Sequence, residues 1–200
     1  MRLNLKRMLV VFAAVVLVGM GSVFASPPSP PPGALETDGS EYQSRRASML
    51  LAEIQKETAA LGPHTDTLGT FARNPEYSWQ SHAFYLDKVK DHINVIGERT
   101  AELQQIRYAI LPWQEQAITE VTSHAAQVGA STQAAIVYLN ENQGRRFVPE
   151  YRDHLTTIAD SSDAMKQDVD SFLEYEKTQR RLQDLQTSWS WVGDRLPRSD

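Results

Sequence analysis

The chain has 200 residues, no cysteine, and more acidic than basic residues, 25 against 20. The absence of cysteine excludes disulfide bonds, thiolate metal sites, covalently attached haem and the modified cysteine of bacterial lipoproteins. The net charge of −5 argues against nucleic acid and anionic lipid as partners, because both require a concentrated positive surface.

The first 25 residues have the pattern of a cleavable signal peptide, with a basic start, an apolar run from Met8 to Met20 and a small-residue end. Val23 and Ala25 occupy the −3 and −1 positions that signal peptidase reads, which predicts cleavage between Ala25 and Ser26. We therefore expect an exported protein, periplasmic or extracellular. The alternative is a membrane-anchored protein that keeps this segment, although the run is shorter than the roughly 20 residues of a spanning helix. Cleavage would leave 17 basic and 25 acidic residues, a net charge of −8.

A proline-rich segment follows the predicted cleavage site. Proline fixes φ and has no amide donor, so residues 26–33 are expected to form an extended polyproline II spacer. The next residues stay polar and contain glycine. We expect a disordered linker over residues 26–40 and a folded domain over residues 41–187.

The folded domain has the apolar periodicity of amphipathic helices almost throughout, which predicts an all-α fold. The first predicted helix runs from Glu41 to Leu61, where Gly62 and Pro63 are expected to end it. Its apolar face consists of Ala47, Leu51, Ile54, Thr58 and Leu61.

The second predicted helix begins at Pro75, after the capping residue Asn74, and continues to at least Leu111. Its apolar seam recurs at steps of three and four residues, the spacing of a coiled coil. The seam consists of Trp79, His82, Leu86, Val89, Ile93, Ile96, Thr100, Leu103, Arg107 and Ile110.

Two architectures are possible, and they differ in whether the helix continues through Pro112. The heptad phase continues across it through Gln114, Ala117 and Val121, which favours one long kinked helix reaching Asn142. That helix would make an elongated or self-associating array of helical hairpins. The alternative is a turn at Pro112, which would give four helices of comparable length and an antiparallel bundle.

The last predicted helix begins at Pro149, and a tail over residues 188–200 follows it. Its seam consists of Tyr151, Leu155, Ile158, Ser162, Met165, Val169, Phe172, Tyr175, Leu182 and Leu185. The tail carries Trp189 and Trp191, which we expect to fold back over the open end of the helices. The alternative is that both tryptophans contact a partner or a membrane interface, because exposed tryptophans are frequent anchors of interfaces.

The histidines do not form a recognisable metal motif. Glu120 and His124, like Glu150 and His154, are one helical turn apart, a spacing that can hold a metal ion but often occurs by chance. No Gly-x-Ser-x-Gly motif or other nucleophile pattern is present. We therefore expect no metal site, no cofactor and no catalytic residues.

These features predict a structural or protein-interaction role in the cell envelope rather than an enzyme. The expected partners are envelope proteins, including a second copy of the chain, with no nucleic acid. Membrane contact is expected only through an uncleaved signal segment. The competing interpretation is a periplasmic bundle that binds a ligand or a metal in an inner pocket lined by Trp113, His124 and Tyr138.

Overall fold

Four α-helices make up almost all of the described chain. The computed structural model describes residues 36–74, 76–142 and 148–193, without the side chains of residues 36–38 and 190–193. The helices are α1 (Glu36–Phe71), α2 (Trp79–Ile106), α3 (Pro112–Glu141) and α4 (Pro149–Gly193), with a 3₁₀ turn at Arg107–Ala109. No strand occurs in the described ranges, and the predicted all-α class is confirmed.

The helices form an antiparallel four-helix bundle. Helix α1 packs against α2 and α4, and α3 packs against the same two helices from the opposite corner. At one end of the bundle the Ser48 hydroxyl bonds the Glu176 carboxylate, and at the other Gly69 lies next to Ala159. Residue numbers thus increase along α1 while those of the contacting α4 residues decrease, as the antiparallel arrangement requires. The predicted bundle is confirmed and the elongated hairpin array is excluded.

The core consists of the predicted helix seams. On α2 the buried residues are His82, Leu86, Val89, Ile93, Ile96, Thr100 and Leu103, all members of its predicted seam. The five residues of the predicted α1 face are buried as well. Leucine, isoleucine and valine fill the middle of the bundle, so burial of apolar surface provides most of its stability.

Pro63 lies inside α1 and does not end it, contrary to our expectation. The helix continues to Phe71 because apolar residues on both sides of the proline are buried against neighbouring helices, among them Leu61 and Leu68. The Thr65 hydroxyl donates a hydrogen bond to the Gly62 carbonyl at 2.9 Å. Burial of this face outweighs the hydrogen bond that a proline removes from a helix interior.

Three helix ends differ from their predicted positions. Helix α1 begins at Glu36, within the predicted linker, because a polar segment such as Gly39–Ser40 can be an exposed part of a helix. Helix α2 begins at Trp79, where the Ser78 hydroxyl accepts from the Ser81 amide. Asn74 instead accepts from the Glu76 amide at 3.0 Å, which closes a turn before the helix. Helix α4 extends to Gly193, so residues 188–193 belong to it rather than to a tail.

The chain turns at Pro112, and the favoured continuous helix is wrong. Helix α2 ends at Ile106, and Pro112 is the first residue of α3. The Gln114 side chain accepts a hydrogen bond from the Leu111 amide at 3.0 Å, which satisfies a backbone donor at the start of α3. Proline is well suited to this first position because its missing amide would have no helical partner there.

None of the described helices combines the length and the apolarity that a membrane-spanning segment requires.

Candidate functional site

Helix α4 extends past the part of the bundle that buries it. Every residue from Lys177 to Trp189 is exposed, although α4 continues as a regular helix to Gly193. We refer to residues 177–193 as the α4 extension. At 1.5 Å per residue the extension is about 26 Å long.

The α4 extension carries an apolar stripe formed by Leu182, Leu185 and Trp189. These side chains are 49%, 48% and 75% exposed. Their spacing of three and four residues places them on one face of the helix. Leu182 and Leu185 were predicted as members of the buried α4 seam, and this part of the prediction is wrong.

The apolar stripe does not face the bundle core. Val169 is fully buried, and Leu185 follows it by 16 residues, which places Leu185 about 160° further around the helix. The positions of the extension that continue the core-facing side are polar, namely Arg180, Gln183 and Thr187. The change of the apolar face from one side of α4 to the other explains why the bundle leaves the stripe exposed.

Trp189 does not cover the end of the bundle, contrary to our expectation, because it lies on a continuing helix and is exposed. Trp191 lies on the same helix, but its side chain is outside the described part of the chain. The predicted cleavage site, Ala25 and Ser26, also lies outside the described residues.

The α4 extension is basic on an acidic chain. Residues 177–189 contain three basic residues and one acidic residue, Asp184. Lys177 pairs with Glu174 at 3.5 Å, and Arg180 pairs with Glu176. Arg181 has no ion pair with any residue that the structure describes. Arg181 precedes Leu182 and lies along the edge of the apolar stripe.

A shallow cleft of about 310 Å³ lies at the base of the α4 extension, between α1 and α4. Its charged side chains are already paired within their own helices, Arg45 with Glu41 and Arg180 with Glu176. The cleft therefore has no excess charge with which to select an ionic ligand.

A second cluster joins the middle of α3 to α4. Glu120 and His124 lie one turn apart on α3, and Asp168 approaches them from α4. One side-chain donor atom from each of the three lies within 4.8 Å of the others. The His124 Nε2 is 3.1 Å from the Asp168 carboxylate. The spacing of the pair on α3 is visible in the sequence, whereas only the alignment of α3 with α4 could have indicated Asp168.

The structure does not form the predicted inner pocket. Trp113 and Tyr138 are 25 residues apart on α3, about 37 Å along the helix axis. Trp113 packs against Tyr175, whereas Tyr138 stacks on Tyr151 near the other end of the bundle. Together with His124 these residues occupy three separate levels of α3 and cannot contact one small ligand.

Ion pairs and hydrogen bonds lower the pKa values of two surface carboxyl groups. The Arg99 and Arg46 guanidinium groups bond the Glu102 carboxylate and lower its pKa. Lys166 and Gln55 bond Asp170 and lower the pKa of that carboxyl group in the same way. These groups link the bundle helices to one another or lie along α4, so we assign them to the stability of the fold.

His64 lies in a more basic environment, beside His92 and Lys88. Burial, and then the charges of these two neighbours, lowers the pKa of His64. The His92 ring in turn pairs with Glu57 at 2.9 Å. The group connects α1 with α2 and contains a single carboxylate, so it is a poorer cation site than the cluster at His124.

Comparison with protein families, with curated proteins and with solved structures finds no match for this chain.

Proposed function

We propose that this chain is an exported, non-enzymatic protein-interaction module of the cell envelope, in which the four-helix bundle presents the α4 extension to a partner protein. The observation that carries the proposal is the exposed apolar stripe of Leu182, Leu185 and Trp189 on a helix that leaves the bundle. Export is supported by the signal-peptide pattern of residues 1–25.

The apolar stripe has the spacing of a helix that binds in a groove. Such helices contact their partners through residues at positions i, i+3 and i+7, which here are Leu182, Leu185 and Trp189. Tryptophan is among the residues most enriched at the energetic centres of interfaces. Complete burial of each half-exposed leucine would contribute about 1 kcal/mol to binding, and burial of the tryptophan would contribute more.

A groove in a different protein is a better partner for this stripe than a second copy of the chain. The apolar stripe spans only residues 182–189, little more than one heptad, and helical pairs with a seam of this length are marginal in water. A groove contacts a helix on several sides and buries more of it than a single parallel helix does. We therefore assign the α4 extension to a partner with an apolar groove.

The charges of the α4 extension indicate which charges the rim of the partner's groove should carry. Arg181 lies beside the apolar stripe without an ion pair among the described residues, and the segment from Lys177 to Trp189 is net positive. An acidic rim would pair with Arg181 and would increase the rate of association. The proposed partner is therefore an envelope protein whose apolar groove is edged by acidic residues.

The test compares two substitutions at exposed apolar residues. Leu185→Glu places a charge in the centre of the stripe, whereas Val137→Glu changes an exposed residue on α3 that is 43% accessible. A protein that crosslinks to the wild-type chain in the intact envelope is purified, and its affinity for all three chains is measured. We expect Leu185→Glu to weaken binding at least tenfold, because an unpaired charge would be buried, and Val137→Glu to have no effect.

Equal affinities of the wild type and of Leu185→Glu would contradict the proposal. Both substitutions are at exposed sites, so far-UV circular dichroism and the melting temperature should remain unchanged. Light scattering of the purified chain measures its molecular mass in solution and shows whether a second copy of the chain covers the stripe. A dimer that Leu185→Glu dissociates would assign the stripe to a second copy of the chain. That result would overturn the proposal that the stripe binds a groove in a different protein.

A further inference from the structure

The cluster of Glu120, His124 and Asp168 has more negative charge than the described residues neutralise. Glu120 makes no ion pair or hydrogen bond with any described residue, and Asp168 pairs only with His124. The nearby cation Lys166 is bound to Asp170 at 2.9 Å. Among the described residues, the two carboxylates therefore have the His124 imidazole as their one ion-pair partner.

The histidine is also incompletely bonded. Its Nδ1 atom is buried, and it has no hydrogen-bond partner within the described part of the chain. Nδ1 and Nε2 point in different directions from the imidazole ring, and Nε2 is the atom that lies beside Asp168. Nε2 is therefore the atom that can bind an ion together with the two carboxylates.

The geometry fits a divalent ion. Ligand atoms at about 2.1 Å from a zinc ion are separated by roughly 3 Å to 3.4 Å from one another. The His124 Nε2 and the Asp168 Oδ2 are already 3.1 Å apart. Glu120 lies one turn from His124 on the same side of α3, and a ligand atom of its carboxylate lies within 4.8 Å of the ligand atoms of the other two residues.

We propose that Glu120, His124 and Asp168 bind one divalent transition-metal ion that connects α3 to α4. One imidazole and two carboxylates are a ligand set that zinc accepts, and the partial exposure of the three residues leaves a position for water. Magnesium is disfavoured because it binds imidazole poorly. This site is separate from the α4 extension, and its existence does not depend on the proposed function.

The chain contains a matched control for the site. Glu150 and His154 have the same four-residue spacing on α4, but the structure brings no third ligand to them in its described part. If spacing alone created the affinity, both pairs would bind metal. If the third ligand is required, only the pair that meets Asp168 will bind.

The experiment is a zinc titration of the untagged, chelator-treated mature chain by calorimetry, repeated with manganese and magnesium. We expect one zinc ion per chain with micromolar affinity and much weaker binding of magnesium. Asp168→Asn, Glu120→Gln and His124→Gln should each weaken zinc binding at least tenfold, whereas Glu150→Gln and His154→Gln should not change it. Zinc at 100 times its dissociation constant should raise the melting temperature by about 5–10 °C.

Two results would overturn the site. The first is a wild-type chain that does not bind zinc at millimolar concentration. The second is binding that Asp168→Asn leaves unchanged, or that the control substitutions weaken equally, since the ion would then be bound elsewhere. Asn and Gln keep the shapes of Asp and Glu, so these variants should fold, and unchanged far-UV circular dichroism of each apo protein verifies this.

Discussion

Gln114 uses both donors and both acceptor positions of its side-chain amide while fully buried. Its Nε2 donates to the Ser44 carbonyl at 2.9 Å and to the Ser48 hydroxyl at 3.0 Å. Its Oε1 accepts from the Ser44 hydroxyl and from the Leu111 amide, each at 3.0 Å. One side chain thus links α1 to the first turn of α3, on the diagonal of the bundle, where the two helices contact each other much less than adjacent helices do.

Replacement of Gln114 should destabilise the protein far more than replacement of an exposed glutamine on the same helix. Gln114→Ala leaves buried polar groups without partners and creates a cavity, so we expect the free energy of unfolding to fall by about 3 kcal/mol. Gln127→Ala should change it by less than about 0.5 kcal/mol, because Gln127 is exposed. Urea denaturation measures both, and similar small losses would show that the network contributes little.

At the scale of helices, the sequence predicted the apolar faces better than the ends. The seams of α1 and α2 were predicted correctly because burial requires apolar residues every three or four positions, and this periodicity is visible in one helix alone. The assignments of Pro63 and Pro112 were wrong, whereas Pro149 begins α4 as predicted. Pro63 is tolerated because of burial against α2 and α4, and Pro112 begins α3 because of a side chain three positions from Leu111. Apolar periodicity indicates neither burial against other helices nor a polar side chain that caps a helix start.

The continuous heptad phase across Pro112 wrongly predicted a single helix, and the fold explains why. The five residues 107–111 connect two helices that face the same core, so the apolar residues of α3 fall in apparent register with those of α2. A phase argument cannot distinguish this arrangement from one continuous helix. The lateral contacts of α2 with α3, such as the hydrogen bond that the Gln104 side-chain amide donates to the Thr122 hydroxyl at 3.4 Å, do distinguish them.

A distance measurement tests the turn at Pro112. The chain has no cysteine, so Glu98→Cys and Gln127→Cys introduce two unique exposed positions for spin labels. Adjacent helix axes are about 8–10 Å apart, and we therefore expect a label distance of roughly 10–25 Å. In one continuous helix the 29 residues between the sites would span about 44 Å. A distance distribution centred near that longer value would contradict the bundle.

At the scale of the whole molecule, the sequence indicated part of the candidate surface. Trp189 was identified because tryptophan near a chain end is unusual, whereas Leu182 and Leu185 were assigned to the core because their spacing fits a seam. The decisive information is where α4 loses its neighbours, which depends on the lengths of the other three helices. The same limit applied to Asp168, whose proximity to His124 follows from the antiparallel packing of α3 and α4.

The central claim is that the apolar stripe of the α4 extension contacts a partner protein in the envelope. Site-specific photocrosslinking tests it most directly, with the photoreactive residue placed at each position from Thr178 to Trp189 in turn and activated in intact envelopes. We predict adducts to one partner with helical periodicity, strongest at positions 182, 185 and 189 and weakest at positions 180, 183 and 187. Adducts of equal yield at all positions, or strongest at positions 183 and 187, would contradict the claim.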